Sequence, residues 1–361
     1  MAELFTLPVL LGILYSGIRL ATPYLFAAVG ETFAQRSGVL NLGVEGIMLM
    51  GAFSGFFVGM KTGSPILGLL AAAVVGILMG LLMSFISITM QAEQGISGIG
   101  LHLFGLGLSS LLFKTTMGGV ESIEGFKAVR IPLLADIPYI GEPLFNHNVL
   151  VYAAFLLVPI STWVLNKTTL GLKIRAVGQN PQAADTLGVN VTRVRYFCVC
   201  LGGMLAGIAG ASLSIALINL FQENMTNGMG FIAVALVYFG GWRPWGVMGG
   251  ALLFSFVNAF QLWIQVKGIN IPSDFAIMMP YVLTILALAF CGIDFAGIAR
   301  LFTPEQGLNE PKEVWYLFGA WLLAATMNAI LTWWGVSMAE LRSWSRQAAT
   351  RRTNTRPLSA H

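Results

Sequence analysis

Six polar side chains lie inside apolar runs, where such groups are costly: Arg19, Asn41, Glu45, His102, Asn258 and Gln261. Their types permit hydrogen bonding and charge pairing rather than bond cleavage. No Gly-x-Ser-x-Gly, His-Glu-x-x-His or Gly-x-x-x-x-Gly-Lys-Ser/Thr occurs, so hydrolase, zinc-protease and phosphate-cradling chemistry have no motif here. Glu45 stands among Gly30, Gly38, Gly43 and Gly46, where a helix should be continuous. Interrupted helices at membrane depth are tolerated only where protein buries them or a cavity adjoins them. One reading makes residues 31–46 and 240–246 two broken elements around a solute path. The other pairs Glu45 with Arg19 or Arg36 as a structural clamp. Asn258 and Gln261 are three apart and share a helix face, so they could bond a polar solute or a neighbouring helix. His102 reads better as a satisfied interior histidine than as a ligand.

The longest polar interval of clear sign is residues 170–195, LGLKIRAVGQNPQAADTLGVNVTRVR. In and beside it, Lys167, Lys173, Arg175, Arg193 and Arg195 stand against Asp185 alone. A short helix is marked at both ends. Asn180 is placed to cap it, Pro181 takes the first helical position, and Gly188 supplies a left-handed stop. The helix of about two turns, residues 181–187, is too short to stand alone in water. It needs a surface to pack against.

These residues are set in a chain of 361 residues that is 56% hydrophobic and only 10% charged, with net charge +4. Mean hydropathy is +0.77. Soluble domains carry roughly 25% charge, so the chain is an integral membrane protein. Its apolar runs are long and continuous, without the alternation of a barrel. The expected fold is all-α and polytopic, with about nine or ten transmembrane helices and broken helices near the midplane. The 42 glycines and 16 methionines suit close helix packing. Cys198, Cys200 and Cys291 lie in apolar runs, which argues against a structural disulfide, and nothing has metal-ligand spacing. The first apolar run is expected to be a span rather than a cleavable signal.

Spans are expected at residues 6–29, continuing to 60 past the glycine breaks, then 66–90, 96–113, 149–165, 196–217 and 275–291. Between the last two, residues 230–266 read as two apolar pieces broken at Gly240-Gly241-Trp242-Arg243-Pro244-Trp245; the first is too short to cross alone. Basic residues 167–195 belong in the cytoplasm by the positive-inside rule, which puts the acidic loop 114–148 and residues 219–227 outside. The same bias makes the positive charge an argument for membrane orientation, not for nucleic acid. Residues 1–300 are expected to form the membrane domain and 301–361 an extension. Its apolar stretch 314–336 reads as interfacial, because a crossing would carry Arg342, Arg346, Arg351, Arg352 and Arg356 outside. The tail from about residue 345 reads as disordered.

Three stretches together resemble a known family: SGVLNLGVEGIMLMGAF (37–53), LGLKIRAVGQNPQAADTLGVNV (170–191) and ALVYFGGWRPWGVMGGALLF (235–254). They are similar to the permease subunits of ATP-binding cassette importers of the branched-chain amino acid and ribose type, nearest the nucleoside and simple-sugar branch. The likeness spans roughly residues 7–292 and stops before the tail. It implies a subunit of the inner membrane that makes the solute pathway and lacks an ATPase site of its own. The implied partners are an ATPase subunit, a second related permease in a heterodimer, and an extracytoplasmic solute-binding lipoprotein, all amid membrane lipid. ATP would be used by the ATPase, with no cofactor on this chain. The resemblance also gives the loop helix a role as the coupling helix seated in an ATPase groove, through Asn180, Pro181, Ala183, Ala184, Asp185, Leu187 and Gly188. The pathway would draw on Asn41, Glu45, His102, Asn258 and Gln261. Simple sugars or branched-chain amino acids are the alternative solutes. A self-contained secondary carrier is the alternative class, for which Glu45 and His102 are too few as ion ligands.

Overall fold

The computed structural model describes residues 6–266, apart from 118, 120, 133, 134, 139 and 140, together with Met278 and Val282. The chain divides into two units, Met1–Leu288 and Ala289–His361, and only the first is described. The expected span at 275–291, Met278 and Val282 apart, and the apolar stretch at 314–336 therefore lie outside the described residues, as does the basic tail.

Seven described helices are long and apolar enough to cross a membrane. In chain order the elements are α1 (Leu7–Arg36), α2 (Val44–Thr62), α3 (Pro65–Ser84), α4 (Gln94–Thr116), β1 (Ala128–Arg130), α5 (Gly141–Phe145), β2 (Asn146–Asn148), α6 (Val149–Lys167), α7 (Thr169–Gln179), α8 (Pro181–Thr186), α9 (Val191–Ser212), α10 (Met229–Phe239) and α11 (Pro244–Val266). The crossings are α1, α2, α3, α4, α6, α9 and α11, while α10 has half the needed length. Single π-type turns, Phe85–Thr89 and Leu213–Leu217, prolong α3 and α9. α7 and α8 sit at one end of the bundle, the loop end.

Helix starts follow the local chemistry. Proline opens α3, α8 and α11, where a missing N–H costs nothing. Asn148 Oδ1 accepts from Val151 N at 3.0 Å to cap α6, and Asn190 Oδ1 accepts from Arg193 N at 2.9 Å to cap α9. Glu93 caps α4 by accepting from Gly95 N and Ile96 N, and these two bonds hold its carboxyl below the usual range.

The core is α2, α3 and α9 with α1 against them, and glycine sets the spacing. A β-carbon on Gly76 or Gly207 would run into the backbone of Gly203 or Ala72, and one on Gly210 into the Met48 carbonyl. Backbones therefore touch with no side chain between them. In lipid, where apolar burial drives little helix association, such van der Waals contact is what holds helices together. Leucine and isoleucine face outward instead: Ile66, Leu70, Val74 and Leu78 on α3 are all exposed and form its lipid face.

At the far end, β1 pairs antiparallel with β2, Val129 opposite His147. The chain before β1 lies on the end of α9, with Ile123 N donating to Asn219 O at 3.0 Å and Phe126 N to Ile215 O at 3.1 Å.

Candidate functional site: two carboxylates and the half-length helix

Residues 31–46 are not broken throughout, as the glycines led us to expect. α1 runs unbroken through Gly30 and Glu31 to Arg36, because Gly30 is used for contact: its β-carbon would lie 3.1 Å from the Gly202 carbonyl oxygen. The break is confined to residues 37–43. Gly38 turns it at φ +84°, and Arg195 Nε donates to Ser37 O at 3.2 Å to hold it down. Glu31, which the sequence reading passed over, closes it from below. Its Oε1 accepts from Asn41 N and from Gln35 Nε2, each at 3.0 Å, and the side chain is 1% exposed. Asn41, equally buried, accepts from Gly43 N at 2.9 Å and turns the chain into α2. The missed signal was Glu31 lying ten residues before Asn41, on the helical side of the glycines.

Glu45 is clamped, but not by an arginine. Arg19 donates to Leu217 O at 3.2 Å and lies over the Tyr15 ring, while Arg36 donates to Trp242 O. Glu45 instead accepts from Thr226 Oγ1 at 2.5 Å, Gly228 N at 2.8 Å and Gly230 N at 2.5 Å. Those N–H groups are the unpaired donors at the start of α10, so the carboxylate meets the positive end of that helix. A β-carbon on Gly230 would stand 2.5 Å from the Glu45 backbone, which is why glycine occupies that position.

The depth of this contact corrects a second expectation. α10 has 11 residues, about 16 Å at helical rise. It leads from Glu45 to the turn at Gly240–Arg243, whose Trp242 receives Arg36 from the loop end of α1. The turn with the double glycine is therefore a loop-end feature. The mid-depth interruption is residues 218–228, of which 219–227 were expected to remain outside; they pass from the far end of α9 down to Glu45.

His102 joins this junction. A β-carbon on Gly46 would stand 2.7 Å from its Cα, and its ring meets Phe231 of α10 edge-on at 5.2 Å. Its Nδ1 is buried without a hydrogen-bond partner among the described residues. Asn41, Glu45 and His102 are thus brought together where α2, α4 and α10 meet. Asn258 and Gln261 are not in that group. Both are half-buried on α11, which packs against α1, α6 and α10, and neither makes a side-chain hydrogen bond among the described residues.

The polar loop holds two helices where one was expected. α7 comes first, burying Gly171, Ile174 and Val177. α8 then forms as the sequence indicated: Asn180 Oδ1 accepts from Ala183 N at 3.0 Å, and Gly188 takes φ +80°. Leu187 is 84% exposed, and Asp185 and Ala183 also face out, whereas Ala184 is buried within the chain. The loop meets the junction through α1. A β-carbon on Gly178 would collide with the Arg36 carbonyl, and Trp242 Nε1 donates to Gln35 Oε1 at 2.8 Å. A continuous line of contact therefore runs from α7 through Arg36 and Gln35 to Trp242, α10 and Glu45. Among the described residues no cluster of His, Cys, Asp or Glu is arranged to hold a metal ion.

No solved structure matches the chain. Among curated proteins it is 36% identical to the guanosine ABC transporter permease protein NupQ of Bacillus subtilis, over 74% of this chain and 88% of that one. It is 38% identical to the nucleoside ABC transporter permease protein NupC of Lactococcus lactis, over 81% and 94%. It is 42% identical to a putative glucose ABC transporter permease protein of Haloferax volcanii, over 70% and 78%. A family model described as the permease component of the branched-chain amino acid transport system matches residues 13–288. With its multi-pass helical fold and these matches, the chain belongs to that family of ABC transporter permease components.

Proposed function

We propose that this permease carries nucleosides into the cytoplasm across the inner membrane, powered by a separate ATPase that docks on α8. The observation that carries the reading is the half-length helix α10. A helix that starts on a buried carboxylate at mid-depth and ends on a turn touching the loop end can move as one piece when the loop is pushed. Asp185 and Leu187 present an exposed acidic and apolar surface on a helix too short to be stable alone. That surface suits a partner groove. The chain carries no phosphate-cradling motif, consistent with ATP being bound elsewhere.

The nucleoside reading is supported by the two nucleoside-named relatives, each covered over most of its length. The glucose-named relative keeps a simple sugar as the second reading. Asn41, Glu45 and His102 lie at the junction that α10 would shift, and Asn258 and Gln261 offer amides on α11 that are unengaged among the described residues. Related permeases named in pairs from single organisms, such as NupP and NupQ, favour assembly with a second, different permease. An extracytoplasmic binding lipoprotein would deliver the solute. ATP-driven closure of the ATPase would shift populations between two orientations of the pathway.

Two measurements test this. Uptake of labelled uridine in cells expressing the full transporter should be competed by adenosine and not by ribose or leucine; competition by ribose alone would select the sugar reading. Co-purification of the ATPase should be lost with Asp185→Arg or Leu187→Arg while the permease stays folded. Uphill transport by this chain purified alone would overturn the whole assignment.

A further inference from the structure

We propose that the loop ends of α1 and α7 and the α10–α11 turn form a binding site for an anionic phosphate group, normally a phospholipid headgroup. Two adjoining cavities meet there. One, of about 370 Å³, is lined by Gln35, Arg36, Arg175, Gln179, Trp242 and Arg243. The other, of about 680 Å³, shares the three arginines and extends to Thr162, Asn166 and Trp245. Arg36 feels the like charges of both Arg175 and Arg243. Three cations around one cavity repel each other unless an anion is placed between them.

The described residues supply none. The ion pairs among the described residues, Lys114–Glu223, Lys127–Glu124 and Arg130–Asp136, all lie toward the far end. The nearest carboxylate on α1, Glu31, is bonded to Asn41 and Gln35. Arg36 gives Nε and Nη2 to Trp242 O at 3.0 and 2.9 Å, which fixes its plane and leaves Nη1 to donate. Arg175 uses only Nε, to Gly171 O at 3.4 Å, and the Arg243 side chain makes no hydrogen bond among the described residues. Planar guanidinium donors converging on one space match the oxygens of a phosphate.

A lipid is the favoured source because of what borders the arginines. Trp245 is 53% exposed and Trp242 38% exposed. Half-exposed tryptophans belong at headgroup level, and basic pockets between helix ends on the cytoplasmic side hold anionic headgroups. Naming the lipid rests on the loop end being cytoplasmic; the phosphate chemistry does not.

The full transporter complex would be purified in detergent and offered phosphatidylglycerol, phosphatidylcholine or inorganic phosphate, with bound lipid counted by native mass spectrometry and phosphate by equilibrium dialysis. We expect phosphatidylglycerol to be retained over phosphatidylcholine. Arg175→Gln/Arg243→Gln should weaken retention about tenfold. Lys173→Gln/Arg193→Gln, which removes exposed charge outside the cavities, should leave it unchanged. Melting temperature reports folding, and Arg175→Lys/Arg243→Lys retains charge should the first pair prove unstable. Inorganic phosphate binding that is lost in the double variant, with no lipid selectivity, would keep the site and assign it a soluble anion. Equal binding of every probe by wild type and variant would overturn the proposal. So would unchanged binding accompanied by loss of the ATPase, which would place these arginines in the subunit interface. None of these readouts depends on which solute is carried.

Discussion

Glu31 and Glu45 each close a stretch where the helical pattern of the bundle is interrupted, and they do so unequally. Glu45 accepts from three donors with its two oxygens, fixing the start of α10 at mid-depth. Glu31 accepts twice with one oxygen, while its Oε2 is buried without a partner among the described residues. The saturated carboxylate joins elements far apart in sequence, α2 and residues 226–230. The half-used one ties a loop to the helix it has just left. Strong closure therefore lies at the middle of the bundle, and slack lies at the loop end, beside the turn that meets α7.

The largest effect should come from Glu45→Ala. It strands the Thr226 hydroxyl and two backbone N–H groups out of water, a loss of about 3 kcal/mol or more. Melting temperature and folded yield in detergent should both fall. A variant with full stability and lost uptake would instead make Glu45 a solute ligand and end the comparison. Next, Gly210→Ala should cost about 1–3 kcal/mol, because its methyl group meets the Met48 carbonyl on the element that carries Glu45. Gly100→Ala, with open space around it, should be nearly neutral. Glu31→Gln keeps the accepting oxygen and should cost about 1 kcal/mol or less. A loss as large as that of Glu45→Ala would show that the two sites are equivalent. Asn180→Ala should cost about 1 kcal/mol, confined to α8 and visible as faster amide exchange at Ala183.

What could be read in the sequence followed from how local each feature is. The cap, proline and glycine stop around α8 act within a few residues, so the chain spells them out. The short apolar piece before Gly240 was legible as a half-length helix because length alone decides it. Gly30 misled, since a glycine inside an apolar run reads as a break whether it bends the chain or admits a neighbour, and only Gly202 across from it tells the two apart. The descent of residues 218–228 was hidden for the same reason. Their polarity fits water equally well, and the group that draws them inward, Glu45, is more than 170 residues away. α7 was masked by its charges, which obscured the buried face of Gly171, Ile174 and Val177.

The side-chain-free contacts among α2, α3 and α9 have a mechanical consequence. Flexible side chains between helices act as cushions that absorb displacement, and at these glycine contacts there are none to compress. A push on the start of α9, five residues beyond the end of α8, would be carried by these three helices as by a rod rather than a spring. The give in such a rod is at its far tip, in the wider turn Leu213–Leu217, from which the chain descends toward Glu45.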